Sequence, residues 1–426
     1  MPPITDHPLR YELANELHAR PFPALTASGR AVFLAIKRPE EAASRDRQAD
    51  LDHLAQLLHR HGADQPQPGA THWFCQIGKH QLKWESHTEF VTYTVFLDGP
   101  GAKPFDPDDF DVFPEDWLAA APGQRITSAL IRIEPRPTDA EIEARIADWF
   151  VSESVAASCV QDDGAVVIGD YRIDPAGHMR FAVFPRDDIG RRRIGRIVQR
   201  LAEIETYKTM SMLGFQRVRA LSPRMAEIDK ELSELMSGMT DRAAPAEETL
   251  QALLTVSAEL ETLQAQASFR FGATAAYEAI VHERIEVMRE ERFGGRQTFN
   301  EFMMRRFDPA MRTVKSTQTR LQAMADRAMR AGDLLRTRVD VARSAQNQAL
   351  LESMDRRADL QLQLQKTVEG FSVVAISYYA VSLLSYLLYP VAEPLDVTKG
   401  VVTAAVTLPV VALVFVLVRR IRGKID

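Results

Sequence analysis

The last 57 residues contain two stretches without a charged side chain, Gly370–Ala392 and Gly400–Val418, separated by seven residues that carry Glu393, Asp396 and Lys399. As helices rising about 1.5 Å per residue, the two stretches reach roughly 34 and 28 Å, enough to cross a hydrocarbon core about 30 Å thick. A transmembrane helical hairpin is therefore expected. Arg419, Arg420, Arg422 and Lys424 follow the second stretch, so the positive-inside rule puts the C-terminus in the cytoplasm. A hairpin returns to its starting side, and the opening Met1–His7 has no charged region followed by an apolar one. Residues 1–369 are accordingly expected to remain cytoplasmic.

About 370 residues outside the bilayer supply material for two or three compact units. Cys75 and Cys159 form neither a disulfide framework nor a metal-ligand spacing; as ordinary packed thiols they fit a reducing compartment. A net charge of −6 and a pI near 6.0 give no reason to expect nucleic acid as a partner.

Residues 1–188 read as a cytoplasmic α/β domain. Runs rich in β-branched and aromatic residues at Ala31–Lys37, His72–Ile77, Leu82–Glu85, Phe90–Leu97, Ile126–Glu134, Val166–Ile168 and Met179–Phe184 predict about seven strands. Helical spacing occurs at Pro39–His61, with Leu51, Leu54, Leu57 and Leu58 on one face, and at Asp139–Val151, with Ile142, Ile146 and Trp149. Asp174–Gly177 suits a hairpin turn, and the Pro- and Asp-rich stretch from Gly99 to about Pro122 predicts a solvated surface loop.

Residues 189–369 read as a helical bundle and stalk without strands, with turn signals near Ser222–Pro223, Ala243–Glu247, Gly294–Gly295 and Asp308–Pro309. Between Pro309 and Pro390 there is no proline, and the glycines are Gly332 and Gly370. One helix of about 80 residues, on the order of 120 Å long, is expected to enter the first span. Its apolar residues, among them Met311, Val314, Leu321, Met324, Leu335 and Val339, need a partner surface, from preceding helices or from other copies of the chain. Residues 370–426 complete an α+β membrane protein as the hairpin with its basic tail.

An α/β domain feeding a very long stalk helix, followed by a C-terminal two-helix hairpin with a basic end, resembles the layout of the CorA magnesium-transporter superfamily. The resemblance implies a pentamer, cytoplasmic termini and a pore lined by the first spanning helix. Where that superfamily carries a Gly-Met-Asn filter motif, this chain has Tyr389–Pro390–Val391. The stretches His7–Pro21, Leu82–Phe90 and Arg356–Gln365 resemble an uncharacterised family of bacterial membrane-anchored proteins. That second resemblance implies a bacterial inner (cytoplasmic) membrane location and lends no function.

Several constellations carry candidate chemistry. Tyr378, Ser382, Ser385 and Tyr389 share one helix face, as pore-lining hydroxyls or as helix–helix packing groups. Glu393 and Asp396 would concentrate cations at a pore mouth or simply solvate a turn. Neither apolar stretch contains Asp, Glu, Lys, Arg or His, which disfavours a proton relay or a voltage sensor. His7, Arg10, Glu16, His18 and Arg20 form a dense recognition cluster, or cap a short helix over Pro8–Leu17. Lys83, Glu85 and His87 share a strand face, for acid–base work or for ion pairing. Arg191, Arg192, Arg193, Arg196 and Arg200 suit an anionic ligand or a neighbouring subunit, or pair locally with Asp187 and Asp188. The glycines near these arginines lack the Lys-Ser/Thr ending of a P-loop, and no nucleophile elbow or metal-ligand set is present, so neither catalysis nor a cofactor is expected.

The expected function is a homo-oligomeric, pentameric inner-membrane ion channel or transporter gated by its cytoplasmic domain, with the bilayer, other copies of itself and ions as partners. The alternative is a membrane-anchored scaffold or sensor without transport activity.

Overall fold

A computed structural model describes residues 4–16, 22–39, 45–239, 246–392 and 398–422. The chain divides into two compact units, residues 1–240 with 251–330, and residues 241–250 with 331–426. The first is a mixed α+β unit built on one sheet; the second is helical where described.

After a short helix α1 (Arg10–Glu16), the sheet draws on β1 (Gly29–Lys37), β2 (His72–Ile77), β3 (His80–Ser86), β4 (Phe90–Asp98), β5 (Gln124–Ile133), β6 (Ala156–Val160), β7 (Ala165–Gly169), β8 (Met179–Pro185) and β9 (Glu291–Arg292). Their order is β2-β3-β4-β1-β5-β8-β7-β6-β9. Every pairing is antiparallel except β5 with β8, whose parallel register is reached through a helix and the β6–β7 hairpin. Strands β1 and β4 are buried along nearly their whole length because both sheet faces are covered, so these runs are apolar without strict alternation.

One face packs under α2 (Arg47–Arg60) and α4 (Asp139–Trp149). Leu54, Leu57, Ile142 and Ile146 meet Leu34, Trp84, Tyr93, Val166 and Phe184 in a single core. The other face lies under α5 (Arg191–Gly238), whose Ile194, Ile197, Val198, Leu201 and Ile204 are buried. α5 also pairs with α6 (Ala246–Glu286), so closely at Gly214 that a Cβ there would overlap Thr274. Arg224 binds Glu259 across this pair, with both Nε and Nη2 at 2.6 Å from the carboxylate. After α7 (Phe299–Arg306), α8 (Asp308–Ala392) begins with Pro309 in its first turn, where a missing amide costs nothing. Arg320 and Arg327 of α8 both bind Asp229 of α5.

Four expectations are corrected. Among the described residues the sheet has nine strands rather than about seven, because β6 is only five residues long and contains Ser158 and Cys159, while β9 has two residues and no apolar side chain. β9 also places a strand in the half read as purely helical. The segment from Gly99 to Pro122 is no solvated loop: Phe105, Phe110, Phe113 and Trp117 are buried in the core, the last from α3 (Glu115–Ala119). Pro223 makes no turn, since α5 continues through it with Leu221, Met225 and Ile228 buried on its packed face.

In the second unit, Arg343 of α8 donates from Nε to Glu247 at 3.0 Å. α8 beyond Ala331 and α9 (Lys399–Arg422) each contain a segment long and apolar enough to cross a membrane.

Candidate functional site

The predicted arginine cluster is dispersed by the fold, and one member joins residues far away in sequence. Gly190 is the N-cap of α5, and Arg191, Arg192 and Arg193 are exposed on its first turn. Arg196 lies over the Phe22 ring at 5.9 Å, and Arg200 donates to the Val287 carbonyl at 3.2 Å, just beyond α6. Burial lowers the Arg200 pKa, with Arg196 the next contributor. Asp188 is bound by Arg186 at 3.3 Å, not by this cluster.

Arg191 instead lines a polar cavity of about 220 Å³ with Arg30 of β1, Lys79 of the β2–β3 turn, Gln76, Gln81 and Asp98. The wall is held by the Leu25 amide, which donates to the Arg191 carbonyl at 3.1 Å. Arg30 is fixed in place: its Nε donates to Asp109 at 2.8 Å and its Nη1 to the Gly99 carbonyl at 2.5 Å. Among the described residues, neither Lys79 nor Arg191 lies within ion-pair distance of a carboxylate. Beside it His80 has a lowered pKa, chiefly from burial, with Lys79 the next contributor and Asp98 opposing. Three cationic residues, two glutamines, Asp98 and the first residue of a 48-residue helix therefore border one hollow. Sequence spacing concealed this site, because Arg30, Lys79 and Arg191 are joined only by sheet pairing and the docking of α5.

The other candidates fall elsewhere. Lys83 and Glu85 form an ion pair at 3.1 Å beneath α5, with Thr92, Thr94 and Tyr207 around them and His87 3.5 Å from the Tyr207 hydroxyl. The crevice there has about 20 Å³ of free volume, room for a water and little else. In the β3–β4 connection Glu89 is fully buried and receives Arg270 Nη1 at 3.2 Å and the Tyr277 hydroxyl at 2.9 Å. In the N-terminal cluster, Arg10 binds its neighbour Asp6, and His7 accepts from the Leu9 amide at 3.2 Å. The side chain of Glu16, and His18 and Arg20, lie outside the described residues, as do Glu393, Asp396 and the side chain of Tyr389.

Along α8 the described members of the hydroxyl stripe, Tyr378, Ser382 and Ser385, line one groove at different depths. Tyr378 is exposed, while Ser385 is buried, and Ser382 half-buried, in a groove of about 480 Å³ between α8 and α9. Ser377, which the sequence reading missed, joins Ser385 there, and neither hydroxyl has a hydrogen-bond partner among the described residues. Thr403 and Thr407 line the α9 side, with hydroxyls turned back to Lys399 and Thr403 carbonyls.

A further cavity of about 370 Å³ is lined by His282, Glu286, Glu290, Thr298 and Asn300. Glu290 accepts from Ser158 Oγ at 2.8 Å and from the Phe299 and Asn300 amides at 3.1 and 2.8 Å, acting as an anchor for the start of α7. Burial raises its pKa despite these bonds. A raised folded-state pKa favours the protonated form, so the stability it contributes is complete below about pH 4.3 and is lost as pH rises through the raised value. The urea midpoint of wild type minus that of Glu290→Gln is therefore expected to shrink between pH 4 and pH 7, and a difference that grows with pH would contradict this. Among the described residues no group of three His, Cys, Asp or Glu side chains is arranged to hold a metal ion.

No curated protein matches the chain. A family model described as "Protein of unknown function (DUF3422)" matches residues 5–425, nearly the whole length, and the chain belongs to that family.

Proposed function

We propose that this chain is a homo-oligomeric membrane-anchored sensor or scaffold of the bacterial inner membrane. The C-terminal hairpin crosses the bilayer and the α+β unit works in the cytoplasm. One observation carries the reading: the apolar ends of α8 and α9 turn large side chains outward, with Phe371 72%, Leu387 68%, Leu408 79% and Leu413 66% exposed. In water such a surface is a large aggregation-prone patch; in lipid it is matched to its solvent.

Self-association is supported by the stretch of α8 before the hairpin, which is exposed on all sides. Leu350, Met354, Leu364, Val368 and Phe371 recur at alternating three- and four-residue steps, interrupted by Arg357 and Gln361. The positions flanking this seam, Leu351, Ser353, Ala358, Leu360, Gln365 and Thr367, carry no charge, so between parallel copies like-charge repulsion within the seam is confined to Arg357, whose long side chain can reach out to solvent. Helices anchored side by side in one membrane are already parallel.

The test compares the full chain with one ending at Glu369. The full chain is expected to stay with membranes through an alkaline carbonate wash and the shortened chain to be soluble and folded. Release of the full chain by carbonate would overturn the anchor. Leu364→Cys is expected to cross-link between copies in membranes, and a lack of cross-links there would remove the self-association.

A second reading, a ligand-gated ion pore of CorA-like layout, is favoured by the hydroxyl-lined groove between α8 and α9. Absence of ion flux in liposomes containing the full chain would reject it.

A further inference from the structure

We propose that the polar cavity bounded by Arg30, Lys79, Arg191, Gln76 and Gln81 is a binding site for a small phosphate-bearing anion. The inference concerns the α+β unit alone and goes beyond the membrane reading, so either can fail without the other.

Cations in a folded protein usually face carboxylates, and most arginines of this unit do: Arg136 binds Asp163, Arg145 binds Glu134 and Arg284 binds Glu203. Lys79 and Arg191 break that pattern while bordering the same hollow. Arg30 completes the set as a pre-positioned group, because Asp109 and the Gly99 carbonyl already fix its guanidinium. Asp98 shares the lining, and against three cations it leaves the hollow positive even after Asp109 is counted.

The donor types select the ligand. The lining combines a lysine ammonium, an arginine guanidinium and the Gln81 amide, with the Gln76 amide partly engaged by the Gly78 carbonyl at 3.1 Å, and this mixture of a compact point charge with a forked donor suits the several oxygens of a phosphate. The first turn of α5 adds partial positive charge on the same side. At about 220 Å³ the cavity lies below the roughly 300–1,000 Å³ typical of sites for drug-sized ligands. Its size fits pyrophosphate, a small phosphomonoester or the exposed phosphate of a lipid headgroup.

The test is calorimetric titration of the detergent-solubilised full chain with sodium pyrophosphate and, separately, with dihexanoyl phosphatidic acid. Wild type is expected to bind at least one of the two. The Lys79→Gln/Arg191→Gln double variant should bind it at least tenfold more weakly, while Arg192→Gln/Arg193→Gln, with the same charge removed from exposed positions beside the cavity, should bind like wild type. Binding of pyrophosphate identifies a soluble phosphate ligand, and binding of phosphatidic acid alone identifies a lipid headgroup; either upholds the site. No binding of either probe by wild type, or equal weakening in both double variants, overturns it. Circular dichroism of each variant establishes that the fold is intact, since both pairs are exposed surface residues.

Discussion

Glu89→Ala is expected to cost about 3–5 kcal/mol of folding stability, because it strands a buried cation. The Glu89 carboxylate has no exposed surface, and it receives both terminal nitrogens of Arg270 and the Tyr277 hydroxyl. Lys37, itself buried, stands near the same group: its pKa is lowered first by burial and then by Arg270, and Glu89 opposes both effects. Without the carboxylate, Arg270 and Lys37 repel each other in a site with little water. Replacing both partners, as in Glu89→Leu/Arg270→Met, should recover most of the loss, since a buried pair exchanged for apolar side chains of similar volume is often close to neutral. Urea unfolding of the full chain in detergent, followed by circular dichroism, measures both. A cost below about 1 kcal/mol for Glu89→Ala would place this pair among ordinary surface ion pairs.

Trp117→Ala should be nearly as damaging, at about 3–5 kcal/mol. The indole is fully buried, stacked on His53 at 3.9 Å and edge-on to Tyr93 at 5.1 Å. It also completes a reciprocal pair of hydrogen bonds. Its Nε1 donates to the His53 carbonyl at 2.8 Å, and its own carbonyl lies 2.9 Å from His53 Nε2. A carbonyl only accepts, so Nε2 carries the imidazole proton and Nδ1, 3.1 Å away, accepts from the Tyr93 hydroxyl. This arrangement requires a neutral ring, in keeping with a His53 pKa lowered chiefly by burial. Trp117→Phe should lose less than alanine, giving up the indole hydrogen bond to the His53 carbonyl, which keeps its helical partner within α2. Were residues 99–122 a solvated insertion, Trp117→Ala would cost no more than about 0.5 kcal/mol in the same urea experiment.

That contrast marks where sequence reasoning stops. Long elements with a repeated pattern were legible: α8 is a single helix over 85 residues, and the alternation around Trp84 and Tyr93 marked real strands. Composition misled between Gly99 and Pro122, where prolines and aspartates cap short turns while four aromatic side chains point inward. The short strands β6 and β9 carry too few residues to show any period, and their pairing depends on segments about 130 residues apart. The candidate anion site was half visible. Arg191 stood out in a run of arginines, but Lys79 and Arg30 belong to no local motif and come beside it only through the sheet order.

The pairing of β9 with β6 also bears on biosynthesis. β6 is translated long before its outer partner, because Cys159 opposes Glu291 across the sheet edge. At about 5–20 residues per second, the ribosome needs roughly 7–26 s to bridge that interval. For that time the nascent sheet carries an open edge able to pair with a neighbouring chain on the same polysome. The window closes before the apolar ends of α8 and α9 are synthesised.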